Sequence, residues 1–212
     1  MDRFLDKNLS HYRANEKDAE GLEKTIMYFE KGGPENTAKT LEAAKRRAKE
    51  LVIKDVVVAS THGGTALKAA EVFKNMKVNL VAVSICESFQ KEGWAMTKAE
   101  KKKLSDGGVK VLTSIHALGD GVANAFTEKS GGRSIEEVVR ETLYRFCQGM
   151  KVCVEVVLMA ADAGLIAMDK EVIAIAGTGE GADTCIIVKP AYPRKFLDLE
   201  IREIVAKPRK PS

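Results

Sequence analysis

Six residues between a β-branched run and a helical pattern have the makings of an anion cradle: Ser60, Thr61, His62, Gly63, Gly64 and Thr65. Glycine permits backbone conformations closed to other residues and lets a ligand approach the chain closely. A helix that starts at such a turn aims its unpaired N–H groups and positive dipole end at whatever is bound. Ser60, Thr61 and Thr65 add hydroxyl donors, and His62 adds an imidazole donor. The chemistry this predicts is phosphate binding; the plainer alternative is a tight strand-to-helix turn with a Ser or Thr cap. A P-loop is excluded, because no lysine directly follows the glycines and the spacing differs.

A second glycine-rich run, "GTGEGAD", supplies Gly177, Thr178, Gly179, Glu180, Gly181 and Asp183. It superficially resembles a dinucleotide fingerprint, but a strand pattern follows it where that motif needs a helix. Glu180 and Asp183 repel phosphate and accept readily from sugar or polyol hydroxyls. One turn suited to phosphate and another suited to hydroxyls point together to a phosphorylated sugar or a nucleotide. Glu30, Asn36, Ser114 and His116 are further candidates, each close behind a predicted strand. His62 and His116 are candidates for shared acid–base work across a crevice, against the alternative of two independent polar loop residues. Cys86 also ends a strand, with nothing beside it in the sequence to lower its pKa. The cysteines 86, 147, 153 and 185 form no C-x-x-C pair, so no metal site is expected and buried thiols of a reducing compartment are.

The elements that must position these residues alternate between strand and helix. "KTIMYF" reads as a strand, broken by "EKGGP", with Pro34 suited to a helix start. Leu41, Ala44, Ala48 and Leu51 recur at helical spacing, with Lys45, Arg46, Arg47 and Lys49 mostly outward. Strand 53–59 leads into a helix at about 65–76 with a stripe of Leu67, Ala70, Phe73 and Met76. "VNLVAVSI" and "VKVLTS" are the next strands, separated by a helix that a Thr97/Glu100 capping box opens and Asp106-Gly107-Gly108 stops. The stretch 115–133 shows no periodicity and reads as a long loop. Ser134 and Glu137 form a second capping box, opening a long helix with Ile135, Val138, Val139, Leu143, Phe146, Met150, Val154, Val157 and Leu158 inward. Gly149 is expected to bend that helix and Gly164 to terminate it. "EVIAIAG" and "DTCIIVKPA" are the last clear strands, and the tail is expected to fold back along the edge through 197–205.

This alternation predicts an α/β fold in three layers, with a mostly parallel sheet of about six strands and an antiparallel edge strand. Residues 1–23 read as an N-terminal extension and 24–212 as a single domain. The net charge of +4 is mild and no aromatic-rich basic motif is present, so no nucleic-acid surface is expected. The run 152–168 contains Glu155 and Asp162 and reads as a buried helix, not a membrane span. With no signal-peptide core at the N-terminus, a cytoplasmic protein is expected. The expected partner is a small phosphorylated ligand, and a homo-oligomer is left open.

From about Pro34 onward the chain resembles the C-terminal α/β domain of pyruvate kinase, which holds the allosteric sugar-phosphate site in some of those enzymes. The resemblance lies in "VVVASTHGGTALKAAEVF" and "AADAGLIAMDKEVIAIAGTG". With "YFEKGGPENT" included, the chain looks like the stand-alone archaeal proteins of the pyruvate-kinase-C-terminal-domain-like family. That resemblance implies a 3-2-1-4-5 type sheet with a ligand between residues 60–65 and 177–183. The stand-alone family is associated with flavin mononucleotide (FMN), which has both a phosphate and a ribityl polyol. Carried onto this sequence, Thr61, Gly63, Gly64 and Thr65 would hold phosphate, and Thr178, Gly179 and Gly181 would line the other side. The kinase turn is shorter and more basic, whereas His62 and Glu180 stand here. Pyruvate kinase activity is not expected, since that chemistry needs a separate barrel carrying metal carboxylates and a catalytic lysine. An enzyme, either a flavin-dependent oxidoreductase or one acting on a sugar phosphate through His62 and His116, is the alternative reading.

Overall fold

A computed structural model describes residues 21–210; the expected extension at 1–23 falls almost wholly outside them. The chain runs β1 (Met27–Phe29), α1 (Thr37–Glu50), β2 (Asp55–Ala59), α2 (Gly64–Phe73), β3 (Asn79–Ser84), α3 (Lys98–Asp106), β4 (Lys110–Thr113), α4 (Val122–Ser130), α5 (Ile135–Tyr144), α6 (Gln148–Asp162), β5 (Val172–Ala176), β6 (Thr184–Lys189) and β7 (Glu200–Pro208). Among the described residues the strands form one seven-stranded sheet, ordered β1-β7-β6-β5-β2-β3-β4. All are parallel except β6, which runs against both β5 and β7. The five strands β4-β3-β2-β5-β6 reproduce the implied 3-2-1-4-5 order, and β7 and β1 extend the sheet past the antiparallel strand.

Alternate residues of the central strands feed two cores, as the two-residue period of a strand requires. Val56, Val58, Ile173 and Ile175 pack with Leu41, Ala44, Ala66, Phe73 and Leu104 under α1, α2 and α3. Val57, Val81, Val172 and Ala174 pack with Met150, Val154, Val157 and Leu158 of α6 on the other face. Burial on both faces explains why these strands read as unbroken apolar runs.

Several details depart from the sequence expectation. The buried face of α2 is Thr65, Ala66, Ala69 and Phe73, so small alanines let the helix sit close to the sheet while Leu67 and Ala70 are only half-buried. Arg47 points inward, not outward, because Glu203 of β7 accepts from its Nε (3.0 Å) and Nη2, and Glu50 accepts from its Nη1. The hydrogen bond from Arg47 to Glu203 raises the guanidinium's already high pKa. The stretch 115–133 is not one loop: α4 forms within it, between Gly121 and Gly131, and buries no residue, so it leaves no apolar stripe to read. The long helix breaks at Cys147, between α5 and α6, and not at Gly149. A side chain at Gly149 would collide with Thr184, so this glycine serves close packing of α6 on β6. Ile135 and Val138 are exposed, not inward, as is much of Phe146. Leu51 lies past the end of α1 and is exposed, and α2 ends at Phe73, short of Met76; both capping boxes are present, and Gly164 (φ 66°) follows the end of α6.

The α5 capping box is testable. Ser134→Ala removes the acceptor of the Glu137 N–H and is expected to cost about 1 kcal/mol in urea unfolding.

Candidate functional site

The strand order reverses between β2 and β5: β3 lies on one side of β2 and β5 on the other. At such a switch point the following loops separate and a crevice opens beyond the carboxyl ends of the strands. A cleft of about 620 Å³ lies there, within the range of about 300–1,000 Å³ typical of small-molecule sites.

One wall is the β2–α2 turn. Ser60, Thr61, His62, Gly64 and Thr65 all line the cleft. Ser60 Oγ accepts from the Ala66 N–H (3.2 Å) and so caps the first turn of α2. The Gly64 and Thr65 N–H groups at the start of this ten-residue helix have no intrahelical acceptor and remain for a ligand. Two glycines at this turn do different work. Gly63 adopts φ 83°, and a side chain there would press on Leu104, so it shapes the turn from behind. Gly64 has nothing within 4 Å of where a side chain would start, which leaves its backbone open to the cleft. Lys68 lines the same wall, one turn further along the helix face from Gly64. His62 Nδ1 lies 3.4 Å from Glu100 of α3. The Thr97 N–H and hydroxyl of the capping box hold the Glu100 carboxyl below its usual range, with a smaller contribution from His62.

The opposite wall is the β5–β6 connection. Gly177, Gly179, Glu180 and Gly181 line the cleft together with Pro34. Gly181 adopts φ 70° and leaves no room for a side chain against Pro34 and Thr37. Asp183 does not face the cleft as expected. It is fully buried: Oδ2 accepts from the Gly33 and Thr178 N–H groups, both at 3.0 Å, and Oδ1 accepts from the Thr184 hydroxyl at 2.7 Å. Ala182 N–H donates to Thr37 Oγ1 (3.0 Å), and the Thr40 hydroxyl donates to Ala182 O (3.2 Å), completing a staple between the 30–37 and 177–184 loops. Thr178 also belongs to this staple and not to the cleft lining. Asn36 donates to Lys31 O and Glu30 lies on the sheet-edge side, so neither lines the cleft; Ser114 does not either.

The floor and far end were largely unanticipated. Lys151 and Glu155 of α6 line the cleft as a buried ion pair (2.6 Å), and Glu155 also accepts from the Leu118 N–H. Only their spacing of four residues on one helix face hinted at this. Trp94 stands at the cleft half-exposed, with its ring stacked on Phe89 and the Phe89 ring stacked in turn on His116. His116 lines the cleft, and its Nδ1 is 2.5 Å from Asp120 Oδ2. The hydrogen bond from His116 holds the Asp120 carboxyl below its usual range despite partial burial, with help from Lys151 and Arg140. An ionised carboxylate only accepts, so Nδ1 is the donor in this contact. His62 and His116 thus share the cleft, each tied to a different carboxylate. Burial pushes the thiols of Cys147, Cys153 and Cys185 up, which makes them inert.

The family model described as pyruvate kinase, alpha/beta domain, matches residues 38–188. Among solved structures, a pyruvate kinase from Cryptosporidium parvum is similar at 15% identity and a TM-score of 0.33, over 65% of this chain and 20% of that one. A Cryptosporidium parvum pyruvate kinase in complex with ADP is similar at 15% identity and a TM-score of 0.36, over 80% of this chain and 23% of that one. The chain therefore spans about a fifth of the length of the kinases it matches. The family match takes in β2 to β5, nearly all of β6, and both glycine-bearing walls of the cleft, and on it the chain belongs to the pyruvate kinase α/β-domain family.

Proposed function

We propose that the protein binds a phosphorylated small molecule in the switch-point cleft, with flavin mononucleotide as the ligand that best suits the residues present. One observation carries this reading: the open Gly64 backbone at the start of α2 faces the Gly177–Gly181 loop across a single cleft. The α2 N-terminus and Lys68 suit a phosphate. The backbone of Gly177, Gly179 and Gly181, with the Glu180 carboxylate, suits a polyol chain. The half-exposed Trp94 ring offers an apolar face for a flat heterocycle. Bound flavin would supply electron-transfer chemistry that no side chain here provides. The protein's own part is to hold the phosphate, orient the ring and exclude water from the Lys151–Glu155 floor.

The reading carries with it a protein of archaeal type, supported by the resemblance that includes "YFEKGGPENT". It also carries a cytoplasmic setting, supported by four unpaired buried thiols; no helix among the described residues is long and apolar enough to cross a membrane. Titration of the purified chain with FMN, followed by flavin fluorescence, is expected to show saturable quenching with one site per chain. Riboflavin, which lacks the phosphate, is expected to bind at least tenfold more weakly. Equal binding of the two would sink the phosphate assignment, and no quenching would sink the flavin.

An enzyme acting on the held ligand is the second reading. Its support is the Asp120 carboxylate behind His116, which accepts from the ring and orients it at the cleft.

A further inference from the structure

Cys86, at the end of β3, and His116 and Asp120, in the loop after β4, are far apart in sequence. The parallel pairing of β3 with β4 brings the two loops together at the same end of the sheet. There Cys86 Sγ, a ring nitrogen of His116 and a carboxylate oxygen of Asp120 lie within 4.8 Å of one another. We propose that these three side chains form a binding site for a borderline divalent transition metal, Zn²⁺ being the cation that suits the donor set best. It is a site distinct from the phosphate cradle.

The chemistry of the donors sets the choice of metal. A thiolate, an imidazole and a carboxylate are the ligand types zinc takes, at about 2.0–2.3 Å from the ion. Those distances put tetrahedral ligand atoms about 3–4 Å apart, which small side-chain rotations reach from the present spacing. Magnesium and calcium take oxygen donors and have no use for the sulfur. Three protein ligands leave a fourth position for water or substrate, as in catalytic zinc sites. On binding, the Cys86 thiol gives up its proton. The imidazole keeps its single proton on the nitrogen that does not face the ion, so the step is a proton release with no redox change.

The surroundings fit a coordinated thiolate. The Ser88 hydroxyl lies 2.8 Å from Cys86 Sγ, where it donates to the sulfur once the thiol is ionised. Phe89 covers the His116 ring and limits its rotation. Cys86 is buried, while the Asp120 side chain is 33% exposed, so an entry path runs past the carboxylate. Cys86 is absent from the cleft lining that Ile85 and His116 share, which argues against a nucleophile meeting substrate there and for a ligand behind the wall.

The experiment uses the full chain and Co²⁺ as a spectroscopic stand-in for Zn²⁺. Expected are visible bands of tetrahedral cobalt and a thiolate-to-cobalt charge-transfer band, all lost on adding one equivalent of Zn²⁺. Cys86→Ala is expected to remove the charge-transfer band and weaken Co²⁺ binding at least tenfold. The wild-type chain gives a second measurement that needs no variant. Cys86 is 6% exposed whereas Cys147, Cys153 and Cys185 show no exposed surface. A thiol reagent applied to folded protein should therefore report on Cys86, and Zn²⁺ is expected to slow its reaction at least tenfold. The proposal is overturned by a charge-transfer band that survives Cys86→Ala, by absence of the cobalt spectrum in the wild type, or by alkylation indifferent to Zn²⁺. None of these outcomes depends on whether flavin binds.

Discussion

Asp183→Ala is expected to destabilise the protein by about 3–5 kcal/mol, because each buried donor left without an acceptor costs about 1–3 kcal/mol. The Gly33 and Thr178 N–H groups and the Thr184 hydroxyl all converge on this one carboxylate. The side chain is fully buried, so bulk solvent does not stand in for the lost oxygens. Removing the buried carboxylate also relieves its own desolvation, which keeps the total below the sum for three orphaned donors. Asp183→Asn keeps one oxygen for the two amides and places an amide beside a hydroxyl that also accepts, so it should recover roughly half of the loss. Urea unfolding of the three proteins is the check. An alanine variant within 1 kcal/mol of wild type would show that the staple between the two loops holds without this residue.

Gly64→Asp is expected to weaken FMN binding at least 100-fold and leave folding stability nearly unchanged. The new carboxylate would start in open space at the first position of α2, where an acidic side chain favours the helix. It would stand where the phosphate is proposed to sit. Two unit charges of like sign 4 Å apart repel by about 4 kcal/mol at an effective dielectric of 20, more than the roughly 2.7 kcal/mol that a 100-fold loss requires. Gly63→Asp would not isolate the same effect. Its φ of 83° and the Leu104 side chain behind it would add backbone strain and a clash to any loss of affinity. Fluorescence titration with FMN beside urea unfolding separates the two outcomes. Affinity within threefold of wild type would remove the phosphate from this turn.

Much of the framework was legible because the strands here are buried on both faces and the helices carry strong local signals. Val56–Val58 and Ile173–Ile175 stand out as apolar runs whatever their neighbours, and Thr97 with Glu100 and Ser134 with Glu137 mark helix starts within four residues. The glycine turn that walls the cleft was legible because Ser60 to Thr65 are contiguous in sequence. What escaped depends on distant contacts. Arg47 is indistinguishable in sequence from Arg46, and only Glu203, far along the chain, draws it inward. α4 buries nothing, so periodicity had nothing to report. Asp183 looked like a ligand-facing acid because acidic residues in glycine loops usually are exposed. Thr178 lies only five residues before it, but Gly33, its other backbone partner, meets it only once the chain has folded into one sheet. Cys86, His116 and Asp120 likewise form a group only through the β3–β4 pairing.

That sheet joins the first described strand to the last: Met27 meets Ala206, and Arg209 N–H donates to Phe29 O at 2.8 Å. The segment that carries Gly33 and Pro34 to the cleft hangs from a strand of three residues, and that strand has no partner until β7 exists. A ribosome making this chain therefore delivers the β2–α2 turn early and the glycine loop opposite it much later. The strand that leads to the Pro34 wall gains its partner only after β7 emerges. Capacity to hold a ligand is not built up strand by strand during synthesis. It arrives with β7, so a chain cut before Glu200 would keep every cleft-lining side chain and still leave β1 without its partner strand.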